Sequence, residues 1–118
     1  MSTKLPECWA SDPNARAVRI EVSVEQSLLL PFDQFAFSEL KSGGKEQQLR
    51  LAFATHEVLV RGHALRRIET TMQRMELSFL GKLPGNQRAL ITEGQPVVLE
   101  VVVTEAKDAE KRTPLDQR

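Results

Sequence analysis

Apolar and polar positions alternate singly early in this chain and switch to a three-and-four spacing near its middle. Val18, Ile20, Val22 and Val24 alternate with Arg19, Glu21, Ser23 and Glu25. Branched residues at a period of two predict a strand in a sheet with one wet face. Leu28, Leu29 and Leu30 run into Pro31, which has no N–H for a ladder, so a bend or a sheet edge is expected there. A strand using Phe35 and Phe37 is expected near 34–40, and the loop KSGGKE offers Gly43 and Gly44 for a hairpin turn. Leu49, Leu51 and Phe53 mark the next strand, and Val58 and Val60 another over 57–61. The segment VVLEVVV at 97–103 is apolar on both faces except at Glu100, which predicts an interior strand.

After Gly62 the spacing changes. Leu65, Ile68, Met72, Met75, Phe79 and Leu83 recur at intervals of three and four, with charged and polar residues between them. That stripe predicts one main helix over about 63–82, ended by Pro84 and Gly85, with Lys82 favourably placed in its last turn. The competing reading of ELSFL at 76–80 is a strand. NQRALITEG adds one short helical turn before the final strand. Together these elements predict an α+β fold of two layers: an antiparallel sheet of about five strands with the helix on one face. The other face of that sheet mixes Arg50, Ala52, Ala54, Glu57, Leu59, Arg61, Val98 and Val102. It is too apolar for plain exposure and too polar for a core, so a partial cover or a homodimer contact is expected. An edge strand pairing across a twofold axis would serve equally.

With 118 residues, the chain has the size of one domain. Residues 1–15 carry two prolines and no period and are expected to be a flexible arm. Cys8 and Trp9 are the exception, with Trp9 folding back over an apolar edge or touching a partner. Residues 16–104 form the domain, and 105–118 a charged, disordered tail. Lysine plus arginine equals aspartate plus glutamate at sixteen each, which argues against a polyanion binder driven by overall charge. The single cysteine, Cys8, excludes an internal disulfide, and with two histidines it is too small a set for structural zinc. No apolar run approaches the roughly 18–20 residues that span a bilayer, and the N-terminus lacks a signal-like stretch. A cytoplasmic protein with no membrane partner is expected.

Both histidines lie in HEVLVRGHAL. His56 and His63 are seven positions apart, about 20 Å along a straight strand, too far to converge on one metal ion. No nucleophile sits in a recognisable elbow. Neither a metal, a cofactor nor a catalytic residue is expected, and the chain reads as no enzyme. VRGHALRR is more suggestive. It passes from a strand through a glycine into a helix start that has no Ser, Thr, Asp or Asn to cap it. Arg66 and Arg67 fall in the first turn, where cations are unfavourable. A phosphate or a partner's carboxylate would relieve both faults, with Arg61, Gly62 and His63 assisting. Across 50–88 there are seven Lys or Arg and three Asp or Glu, so nucleic acid is a second possible anionic ligand. The plainer alternative is a tight turn at Gly62 with water on the amides and solvated arginines.

The stretch LRLAFATHEVLVRGHAL resembles small bacterial proteins of unknown function with the pattern V-x-V-x-G-x-x-L. It is also similar in spacing, over Leu59 to Leu65 and Ser78 to Gly81, to the sporulation YabP-like family. That second likeness implies an all-β path where the periodicity here predicts a helix. Either likeness covers the middle third of the chain and transfers no catalytic or binding residue. The leading expectation is a small non-enzymatic bacterial interaction module that self-associates, as a homodimer. Anion or nucleic-acid binding at Arg61–Arg67 stands second, and an enzyme with an unrecognised site third.

Overall fold

A computed structural model describes residues 8–83 and 94–106. The alternating segments form strands, as do two stretches expected to be otherwise. They are β1 (Trp9–Ser11), β2 (Ala17–Ser23), β3 (Gln26–Pro31), β4 (Phe35–Ser42), β5 (Gln47–Phe53), β6 (His56–His63), β7 (Leu77–Gly81) and β8 (Val97–Glu105). One helix, α1 (Arg66–Gln73), lies between β6 and β7. The mixed α+β character holds, but the single sheet of about five strands does not. Two four-stranded sheets form instead, ordered β1-β7-β2-β3 and β4-β5-β6-β8. The first is not purely antiparallel, because β2 and β7 run parallel.

The reason for two sheets lies at Pro31. β2 and β3 make a hairpin, and β3 ends at that proline on the sheet's edge. A single 3-10 turn, Phe32–Gln34, then carries the chain into the second sheet. β4, β5 and β6 follow as an antiparallel meander. The β4–β5 turn holds Gly44 at φ 112, where a side chain would be strained. Val24, expected at the end of the first strand, is instead in the β2–β3 turn and 95% exposed.

The helix of about 63–82 is a correction. α1 stops at Gln73, and 77–81 is strand β7. Met75 takes φ 59; its N–H donates to the Met72 carbonyl at 2.9 Å, and that of Glu76 donates to Thr71 at 3.0 Å. This pair of bonds is the reversal that ends many helices, with methionine where glycine is usual. The apolar stripe therefore divides. Leu65, Ile68 and Met72 are buried on the helix, whereas beyond Met75 the buried residues are Leu77, Leu80 and Leu83. β7 gains a strand neighbour on each side, β1 and β2. Those pairings outweigh continuation of a short helix.

β1 and Cys8 come from the stretch expected to be an arm; residues 1–7 and 107–118 lie outside the described residues. The final strand is a second correction. It was expected inside its sheet, but β8 is at an end, next to β6 alone in that sheet. Its apolar inner side is explained by the other sheet, since β8 contacts β2 and β7. The Leu83 N–H donates to the Val98 carbonyl at 2.9 Å. The core lies between the sheets and under α1, and includes Ile20, Leu49, Leu51, Val58, Val60 and Met72. The helical turn expected in 86–94 falls almost entirely outside the described residues. Among those residues no helix is long and apolar enough to cross a membrane.

Candidate functional site

The turn singled out by sequence is built from the end of β6 and the start of α1. Its five residues are close in the chain but do not converge on one point. Arg61 faces outward from the second sheet. Its Nη1 donates to Glu46 Oε1 at 2.7 Å and its Nε to Glu100 Oε1 at 3.0 Å. These two carboxylates raise the Arg61 pKa further, and they occupy the charge an anion would need. Gly62 has a structural task. A Cβ there would lie 1.9 Å from the Val97 carbonyl oxygen, so only glycine lets β8 approach. The β6–β8 ladder shifts register at this point.

His63 is exposed at the end of β6, and Ala64 takes φ 55 to turn the chain into the helix. No local side chain caps α1. A distant one serves nearby: the Leu65 N–H donates to Gln47 Oε1 at 2.7 Å. Arg66 and Arg67 lie in the first turn together with Glu69, which accepts a 3.0 Å hydrogen bond from Ser38. Arg67 places its guanidinium 5.8 Å from the centre of the Trp9 ring, within cation–π range. His56 is at the far end of β6, its Nδ1 2.8 Å from Thr55 Oγ1. Among the described residues, no three His, Cys, Asp or Glu side chains gather as a metal site.

The outer face of the second sheet has the mixed composition expected of it, except that Ala54 lies beyond β5 and Val98 is buried past the register shift. Strand alternation puts Phe37, Glu39 and Lys41 of β4, Gln48, Arg50 and Ala52 of β5 on that face. From β6 and β8 come Glu57, Leu59, Arg61, Glu100, Val102 and Thr104. Arg50 is its polar centre. It forms an ion pair with Glu57 at 2.9 Å, approaches Glu39 at 3.6 Å, and lies 5.1 Å from the Phe37 ring centre. The Glu39 approach is an ion pair without a hydrogen bond, because Arg50 Nε is buried and has no acceptor. On the other side of Arg50 the face is apolar: Leu59 pairs directly with Val102, and they are 39% and 43% exposed. A depression lined by Glu39, Lys41, Gln48, Arg50 and Leu59 runs beside them.

Cys8 is buried, and its thiol donates to the Pro96 carbonyl at 3.5 Å. Loss of water pushes its pKa up, against smaller opposing effects of backbone hydrogen bonds. A thiol held neutral in this way is a poor nucleophile.

Compared with known proteins, the chain matches no protein-family model, no curated protein and no solved structure.

Proposed function

We propose that this chain is a small non-enzymatic interaction module that associates with a second copy through its β4-β5-β6-β8 sheet. The observation that carries this reading is the pairing of Leu59 with Val102 on the sheet's outer face, with Phe37 on the same face. These are three of the six large apolar side chains most exposed among the described residues. They share one surface with charges that balance. Lys41, Arg50 and Arg61 stand against Glu39, Glu57 and Glu100, and four ion pairs already tie this region together. A sheet with this apolar ground and internally paired charges can meet its own copy, across the face or along its edge, without net repulsion.

Light scattering over a range of concentrations tests the proposal. A mass that rises toward twice the chain's 13.3 kDa, and that falls back in Leu59→Lys, is the expected result. A parent that stays monomeric at every concentration defeats it.

The turn at Arg61–Arg67 has less to recommend it as an anion site. Arg61 is neutralised by Glu46 and Glu100, Gly62 is fixed by packing, and Arg67 lies over Trp9. His63 and Arg66 remain without a charged partner among the described residues, which is too little to hold a phosphate firmly.

A further inference from the structure

Four strands end the two sheets, and three of them carry devices that block further pairing. β1 has three residues and a register shift; β3 ends in Pro31; β4 has a bulge near Phe37 and the charges of Glu39 and Lys41. Such features are how proteins protect an open edge. β8 differs. It is the longest strand among the described residues, with nine. Its irregularity is confined to the start, where the register with β6 shifts near Val98, and Leu83 closes that part of the edge. From Val101 to Val103 the strand is regular, with no proline, lysine or glycine.

The direction of its backbone groups follows from one bond. The Ala106 N–H donates to the Thr55 carbonyl at 2.8 Å, which extends the β6–β8 register by one pair. Antiparallel ladders alternate bonded and non-bonded pairs. Thr104, Val102 and Glu100 therefore turn their amides and carbonyls toward β6. Those of Val101 and Val103 turn away from it, and no described backbone group meets them.

We infer that two copies join edge to edge, β8 against β8, about a twofold axis at Val102, making one eight-stranded sheet. The inference rests on the self-association proposed above and sets the contact at that sheet's edge, so that the outer faces of the two copies lie side by side rather than against each other. Placing the axis at Val102 lets Val101 and Val103 exchange N–H and C=O with Val103 and Val101 of the second copy. Val102 faces its own equivalent as a non-bonded pair, about 4.5 Å between Cα atoms. Glu100, already held by Arg61, faces Thr104. An axis at Glu100 would oppose two glutamates, which is unfavourable, and an axis at Val101 would set Glu100 against Val102. The chosen register also makes one apolar row across the joint, Leu59–Val102 continuing into Val102–Leu59 of the second copy.

The test uses charge exchange at the axis in the full chain. Val102 points outward and is 43% exposed, so Val102→Lys and Val102→Glu leave the core intact, as circular dichroism will show. Each variant alone is expected to scatter as a monomer, because like charges meet at the axis. An equimolar mixture is expected to recover twice the monomer mass. Amide exchange gives a second readout: protection at Val101 and Val103 should rise by about tenfold or more when the parent is concentrated from its monomeric range. If the parent is a dimer and both variants remain dimers, the copies meet elsewhere; the β8 geometry is then wrong while self-association stands. A parent that is always a monomer removes both. Equal protection of Val101 and Val103 in monomeric variants would show the edge covered by the chain itself, and would also overturn the inference.

Discussion

At the scale of single residues, Gly62 and Cys8 are set by what touches them. A methyl group at Gly62 would collide with backbone, the Val97 carbonyl, and backbone cannot swing aside as a side chain can. Gly62→Ala should cost about 3 kcal/mol, the upper end for overpacking, when measured by denaturant titration. Gly43→Ala, with open space around the new Cβ, should stay within about 0.5 kcal/mol. Similar losses at both sites would mean that β8 does not press on β6. For Cys8 the effect is one of pH. Burial raises the native thiol's pKa above its ordinary 9.0. Between the unfolded and native values the native state therefore holds more proton, so stability falls as pH rises. The contribution is fully present below about pH 9 and is lost above it. The stability difference between parent and Cys8→Ala should accordingly be flat at neutral pH and move against the parent in alkali. A difference constant across that range would contradict the burial argument.

At the scale of elements, the end of α1 shows where sequence patterning stops being decisive. Met75 holds a left-handed conformation that costs an ordinary residue roughly 1–2 kcal/mol. Met75→Gly removes that strain and returns about 0.4–1 kcal/mol through the freer unfolded chain. A net gain of about 0.5 kcal/mol is expected by thermal or chemical unfolding, and a loss for the branched Met75→Val. The strain also explains why the boundary was hidden. No glycine or asparagine marks the turn, and the three-and-four spacing from Leu65 to Leu83 runs across it. A strand with Leu77 and Leu80 buried fits the same letters. The alternation of β2, β5 and β6 was plain because each buries one face against a single core. β8 misled for a related reason: its inner side is covered by the other sheet, so its apolar pattern resembled an interior strand. No local side chain caps α1, as the residues before Arg66 imply. The remedy, Gln47, is eighteen positions away and becomes visible once β5 and β6 are paired.

At the scale of the whole molecule, charge separates self-association from anion binding. The chain carries sixteen positive and sixteen negative side chains, and on the outer sheet face three of each sign oppose one another. The basic character expected across 50–88 is offset in space, because Arg50 and Arg61 are drawn to Glu39, Glu57, Glu46 and Glu100 from strand or loop neighbours. Four strands about 4.8 Å apart, seven to nine residues long, give that face roughly 500 Å². A standard interface takes about 800 Å² from each partner, so contact through the face alone would be weak. Backbone pairing at the β8 edge, which leaves the two faces side by side, relies instead on directional bonds that do not depend on area. Neither apolar contact nor backbone hydrogen bonding needs unscreened charge, whereas binding to a polyanion weakens steeply with salt. The concentration for half-dimerisation should therefore change by less than about threefold between about 0.05 and about 0.5 M salt, where the Debye length falls from roughly 14 to roughly 4 Å. Analytical ultracentrifugation at the two ionic strengths measures this directly. A loss of dimer by tenfold or more in the higher salt would assign the association to charged groups, and would return attention to Arg66 and His63.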